Sequence, residues 1–158
     1  MDPNFKTPYE RKITLGLTYY LPNDYVLTAD AIVTQGEDTA IWKRGDLEVV
    51  GTNSDGSPEY DSVREASFVL TNSAIGNESE SISFGLFKSF ENGLDMRLGY
   101  AWNDSRDVNP MTSSIAFSNY VNRTFFDPQE EVLSRSNYNI EHRFTGVFNW
   151  TRNYFGDY

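Results

Sequence analysis

Residues 81–102, SISFGLFKSFENGLDMRLGYAW, decide the fold. Two alternating runs meet at Glu91-Asn92-Gly93, where Asn-Gly is expected to supply the positive φ angles of a tight hairpin turn. One face carries Ile82, Phe84, Leu86 and Phe90, then Leu94, Met96, Leu98, Tyr100 and Trp102. The other carries Ser81, Ser83, Gly85 and Ser89, then Asp95, Arg97, Gly99 and Asn103. An oily face backed by one this small and polar fits two environments. It suits a sheet packed on a protein core, or a sheet whose apolar side meets lipid while its polar side lines a wet lumen.

The same alternation extends outward along the chain. A strand over 11–21 sets Ile13, Leu15, Leu17, Tyr19 and Leu21 against Lys12, Thr14, Gly16, Thr18 and Tyr20. Pro22-Asn23-Asp24 reads as a tight turn into a second strand over 25–34, with Thr28, Asp30 and Thr34 on its polar face. A last strand is expected to run from Tyr138 to Arg152, where Phe144, Phe148 and Trp150 oppose Glu141, Arg143, Thr145, Asn149 and Thr151. No segment shows helical periodicity. The expected class is therefore all-β and antiparallel, with about five long strands running up and down.

Composition narrows the setting. The chain has 158 residues, enough for one ordinary domain, and is 39% hydrophobic and 15% aromatic, which argues against disorder. No run approaches the roughly 18 apolar residues of a membrane helix, a test that β-strands escape. Net charge is −10, with 13 basic against 23 acidic residues, and so acidic a body repels phosphate backbones; no nucleic-acid partner is expected. Cysteine is absent, which removes disulfides, zinc-thiolate sites and thiol catalysis. Met1-Asp2-Pro3-Asn4 is polar and turn-like, unlike a signal peptide, so either a cytosolic protein or an interior piece of an exported polypeptide is expected.

The connections discriminate between the two environments. Tight turns join the first two strands and the hairpin, whereas residues 36–77 and 106–137 form long connections rich in Asn, Asp, Ser, Gly and Pro. Long loops are uncommon in compact domains. Both emerge at one end of the sheet, the pattern of outer-membrane barrels with short periplasmic turns and long extracellular loops. Within the first, 40–50 and 63–72 have enough β character for an extra hairpin. Aromatic residues gather at strand ends, as interfacial girdles do: Tyr19, Tyr20, Tyr25, Phe87, Phe90, Tyr154 and Phe155 at the turns, Trp102 and Tyr138 nearer the loops. A transmembrane β-barrel segment is the favoured reading, and a soluble secreted β-sandwich that binds carbohydrate is the alternative. Five strands do not close a barrel, so residues 1–158 are expected to be one piece of a larger barrel domain.

Three stretches resemble the barrels of TonB-dependent outer-membrane receptors, of the large type with an amino-terminal carboxypeptidase-regulatory-like domain. The first is DPNFKTPYERKITLGLTYYLPNDYVLTADAIVT from Asp2, and the second KSFENGLDMRLGYAWNDSRDVN from Lys88. The third, SNYNIEHRFTGVFNW from Ser136, has Asn139 where the pattern has Asp. The resemblance implies a barrel of about 22 strands with a plugged lumen. It further implies residence in a Gram-negative outer membrane and import of a scarce small substrate bound by extracellular loops. Its partners would be lipid, the plug domain, the remaining barrel strands and the TonB complex.

Candidate site residues follow from these placements. Asp30, Asp95, Arg97, Glu141 and Arg143 alternate onto the lumen face, where ion pairs with one another or with the plug compete with plain solvation. Trp42, Phe117, Tyr120, Phe125 and Phe126 are loop aromatics suited to stacking on a ligand, or to packing the loops themselves. No catalytic residue, cofactor or metal is assigned, and no enzyme activity is expected. His142 is the only histidine and stands beside Arg143 at a strand entrance, a structural position even with Ser134 and Ser136 nearby. Glu37/Asp38, Asp104/Asp107 and Glu130/Glu131 read as solvated charges rather than glycosidase pairs. Asn53, Asp55, Glu59 and Asp61 offer oxygens for calcium but lack EF-hand spacing.

Overall fold

The computed structural model describes residues 1–63, 65–122 and 126–152. The architecture is all-β and mostly antiparallel. Its strands are β1 (Tyr9–Leu21), β2 (Tyr25–Glu37), β3 (Ala40–Arg44), β4 (Leu47–Thr52), β5 (Pro58–Ser62), β6 (Phe68–Asn72), β7 (Glu78–Ser89), β8 (Leu94–Asp107), β9 (Ser134–Arg135) and β10 (His142–Trp150). Among the described residues there is one α-helix, α1 (Ala116–Val121), whose six residues are too few to betray a helical repeat in the sequence. The chain divides into two compact units: residues 1–11, 35–78 and 106–137, and residues 12–34, 79–105 and 138–158.

The second unit holds the long strands, hydrogen-bonded in the order β1-β2-β7-β8-β10. Once the excursions between strands are set aside, this is an up-and-down meander. The first turn works because Asn23 and Asp24 both accept a left-handed φ of 59° behind Pro22. In the second turn only Gly93 has positive φ, at 81°. Asn92 contributes otherwise, its Oδ1 accepting the Leu94 N–H at 3.1 Å. Trp150 Nε1 donates to the Asn92 carbonyl, tying the end of β10 to this turn. Of the sequence-based girdle, Tyr154 and Phe155 lie outside the described residues.

The β8–β10 register sorts the two faces. Leu94 pairs with Trp150, Met96 with Phe148, Leu98 with Gly146 and Tyr100 with Phe144, whose rings stand 4.8 Å apart. On the other face Asp95 meets Asn149, Arg97 meets Val147, Gly99 meets Thr145 and Ala101 meets Arg143. Small residues here let neighbours close in. A Cβ on Gly99 would come within 2.6 Å of Thr145 Oγ1, and one on Gly85 within 2.5 Å of Thr28 Oγ1.

No described residue of this unit is buried. Along β7 burial runs opposite to that of a soluble sheet: Ser79, Ser81 and Ser83 are half-buried, while Ile82 and Phe84 are exposed. Leu15 is 74% exposed and Phe144 79%. The sheet has an oily face that no described residue of the unit buries.

The first unit gathers the long connections. Segments 40–50 and 63–72 pair at their outer ends, β3 with β6, and the arm extends further inward than expected, through β4 with β5. It closes on Asn53-Ser54-Asp55-Gly56, a stretch the sequence reading took for loop. Asp55 Oδ1 accepts from Ser57 N at 2.9 Å and Oγ at 2.7 Å, and Gly56 has φ of 87°. This local turn closes the arm and lets β5 pair where loop was expected. The amino-terminal residues join β6: Asp2 N donates to the Leu70 carbonyl, Asp2 Oδ2 accepts from Thr71 Oγ1, and Lys6 N donates to Asn72 Oδ1.

Gly99→Val and Gly146→Val, adjacent on one strand pair, test the inequality of the two faces. At Gly146 an added Cβ would meet Phe148 Cε2 at 3.5 Å and Leu98 Cδ2 at 3.6 Å, ordinary van der Waals contact. Gly99→Val is expected to cost about 1–3 kcal/mol by overpacking, and thus to speed amide exchange across β8–β10 roughly tenfold or more. Gly146→Val should leave exchange within about twofold. Equal effects would mean that the faces are equally packed.

Candidate functional site

Every buried residue of the chain, among those described, belongs to the first unit, and most are polar: Thr39, Asp46, Ser73, Asn109, Asn119 and Ser136, against Ile41, Val108 and Tyr120. Buried polar groups of this kind hold only when each finds a partner. Asp46 is fully buried in the corner between β3 and β4. It pairs with Arg44, its Oδ2 accepts from Ser62 Oγ at 2.8 Å, and its Oδ1 accepts from Ser67 N at 2.9 Å. The Arg44 hydrogen bond dominates, and with the others it outweighs burial, holding this carboxyl well below the ordinary Asp range.

Three side chains of the 106–137 connection fasten it to the 35–78 connection. Glu131 Oε2 accepts from Ser73 Oγ at 2.8 Å and Ala74 N at 2.7 Å, and its Oε1 lies 2.5 Å from Lys43 Nζ. Burial pushes its pKa up, but these partners together bring it below the usual Glu value. Gln129 acts on β3 as a strand would: its Nε2 donates to the Arg44 carbonyl and its Oε1 accepts the Arg44 N–H. Asp127 Oδ1 accepts from Tyr60 Oη at 2.7 Å. Burial first, then this carboxylate, pushes Tyr60 up to about 12. None of these long-range partners had a signal in the sequence beyond its polarity.

Beside this framework an open cleft of about 800 Å³ is lined by Asp107, Pro110, Phe126, Asp127, Glu130 and Val132, with Ser134, Arg135 and Asn137 on its β9 side. Phe126 is 62% exposed and Val132 54%. A Cβ on Gly56 would lie 3.9 Å from Phe126 Cζ, so this ring stands at the β4–β5 turn.

The loop aromatics are placed unequally. Phe126 lines the cleft. Tyr120 is buried, edge-on to Phe68 at 5.7 Å, with its hydroxyl donating to Gln129 Oε1 at 3.2 Å. Phe117 meets the same Phe68 ring at 6.1 Å from the exposed side of α1. Trp42 sits on β3 opposite Leu70. Phe125 lies outside the described residues.

Of the polar-face residues, Asp30 stands beside Gly16, where a Cβ would approach its Oδ1 to 3.0 Å. Asp95, Arg97 and Arg143 share the face of Gly99 in the β8–β10 register. Among the described residues Asp30, Asp95, Arg97 and Arg143 form no ion pair with one another, and Glu141 lies 3.8 Å from His142 Nε2. Tyr100 Oη is 3.0 Å from His142 Nδ1. Glu37 is engaged by Tyr9 and Arg11, and Asp38 lies near Lys6. Among the described residues no three His, Asp or Glu side chains converge as a metal site would need. No protein-family model, curated protein or solved structure matches the chain.

Asp46 and Glu131 make the first unit acid-sensitive. Both carboxyls are depressed in the folded state, so their stabilisation is fully present above the ordinary carboxyl pKa of about 4 and is lost as pH falls below it. Trp42 fluorescence, read in a Trp102→Phe/Trp150→Phe background, should report a melting temperature that drops from pH 6 toward about pH 3. Asp46→Asn should lower the neutral-pH value and flatten that slope. An unchanged slope would remove Asp46 from the network.

Proposed function

We propose that this chain is part of the outer-membrane β-barrel of a TonB-dependent receptor, a transport component without catalytic activity. In this reading β1, β2, β7, β8 and β10 cross the membrane, and the first unit meets substrate outside the cell. The observation that carries it is the exposure of the sheet's apolar face, together with the tighter enclosure of the polar serines along β7.

Magnitudes support lipid over water. Roughly ten large apolar side chains on that face each forgo about 1.5–3 kcal/mol by staying exposed. Their sum, in the tens of kcal/mol, exceeds the net stability of a typical domain, about 5–15 kcal/mol. Hydrocarbon removes this cost, and strands of 12–14 residues such as β1, β2, β7 and β8 exceed the roughly 9–11 residues of a tilted crossing. A carbohydrate-binding sandwich needs Ile13, Leu15, Phe84 and Phe144 inside a core; all four are exposed. The motif resemblance supports the receptor type. Because β1 and β10 each have a hydrogen-bonded neighbour on one side only among the described residues, the reading also requires further strands to pair their open edges in lipid.

Reconstitution into vesicles with bromines on the acyl chains tests this. Trp102 and Trp150 fluorescence should be quenched, and Trp42 should not. Leu15→Arg is expected to weaken insertion by about 2–4 kcal/mol, and Thr14→Arg, on the opposite face, by less than about 1 kcal/mol. A monodisperse chain in plain buffer with unquenched tryptophans would defeat the membrane reading.

A further inference from the structure

The cleft of the first unit has a chemistry of its own. Its apolar lining, Phe126, Val132, Val108 and Pro110, is interleaved with three carboxylates, Asp107, Asp127 and Glu130, against one guanidinium, that of Arg135, among the described residues. Phe126 and Val132 leave large apolar surfaces in solvent at its mouth. Asp127 is held in place through Oδ1 by Tyr60 Oη and Gln129 N. Glu130, next in sequence to the clamped Glu131, has an exposed side chain. At about 800 Å³ the space is of the size that holds a short oligomer rather than one side chain.

We infer that this cleft binds a cationic oligopeptide, seating lysine or arginine side chains with their stems on Phe126 and Val132 and their charged ends at Asp107, Asp127 and Glu130. This names the substrate class of the proposed receptor and rests on the first unit being its substrate-facing part. Lysine and arginine are the residues that offer an aliphatic stem and a terminal cation together, matching a lining in which apolar and acidic groups alternate. Phe126 adds a ring face for cation–π contact. The chain's net charge of −10 steers such a peptide toward it. A neutral glycan would use the ring and the amides but would gain nothing from the carboxylate excess, and an acidic ligand would be repelled.

Calorimetric titration of pentalysine into the full chain in non-ionic detergent tests the inference. Saturable binding that weakens with ionic strength is expected. Asp107→Asn/Glu130→Gln should weaken it about fivefold or more, and Phe126→Ala about threefold, with the melting temperature of the chain unchanged. Glu48→Gln/Asp61→Asn removes the same charge from the exposed, directly opposed pair on β4 and β5 and should leave binding within about twofold. Equal loss in both double variants would reduce the effect to net charge and overturn the site, as would no binding at all. Heat from maltohexaose in place of pentalysine would overturn it in favour of a neutral glycan. Pentalysine binding without acyl-chain quenching leaves the cleft and removes the membrane reading. Quenching without pentalysine binding does the reverse.

Discussion

An oily sheet face that no described residue buries is the constraint on which the rest depends. Water does not tolerate such a face cheaply, because the apolar area left on it outweighs the margin by which domains stay folded. The opposite face is made of Ser, Gly, Thr and scattered charges, and it is the more enclosed of the two along β7. Glycines at 85 and 99 sit under Thr28 and Thr145, so narrow residues on one side and broad ones on the other follow from one packing requirement.

The first unit obeys the opposite rule. Its interior holds more polar than apolar residues among those described, and its two clamped carboxylates are answered by named partners: Asp46 by Arg44, Ser62 and Ser67; Glu131 by Lys43, Ser73 and Ala74. Gln129 supplies both a donor and an acceptor to the Arg44 backbone. Removing one member of such a set strands the others, so its strength is conditional in a way that an oily core's is not. Acidity attacks it at the carboxylates, whereas it leaves the apolar sheet face untouched.

The strands were legible because period-2 alternation survives in any environment that has two unlike faces. Each of the five long strands was anticipated to within a few residues at most boundaries, β10 starting later than expected, at His142. Alternation does not say which face is buried, and only the exposure of Leu15, Phe84 and Phe144 does. The inner hairpin was missed because Asn53-Ser54-Asp55-Gly56 was read as loop, when its side chains build a turn tight enough to pair β4 with β5. Of the candidate aromatics, composition did not separate Phe126, at the cleft, from Tyr120, whose burial depends on Phe68 and Gln129 far off in sequence.

Three residues of the quoted stretches acquire a physical reason. Asp2 and Lys6 fasten the amino-terminal segment to β6 through backbone and side-chain hydrogen bonds, so that stretch works as a tie rather than as a ligand contact. Asn139 supplies a side-chain oxygen at the approach to β10: Oδ1 accepts from Asn103 Nδ2 at 2.6 Å and from Ser105 N at 3.1 Å. Both donors lie on β8, so this oxygen fastens the entry of β10 to its neighbour. Among the described residues the Asn139 amide nitrogen is buried without a hydrogen-bond partner, and a donor left unsatisfied in this way costs stability.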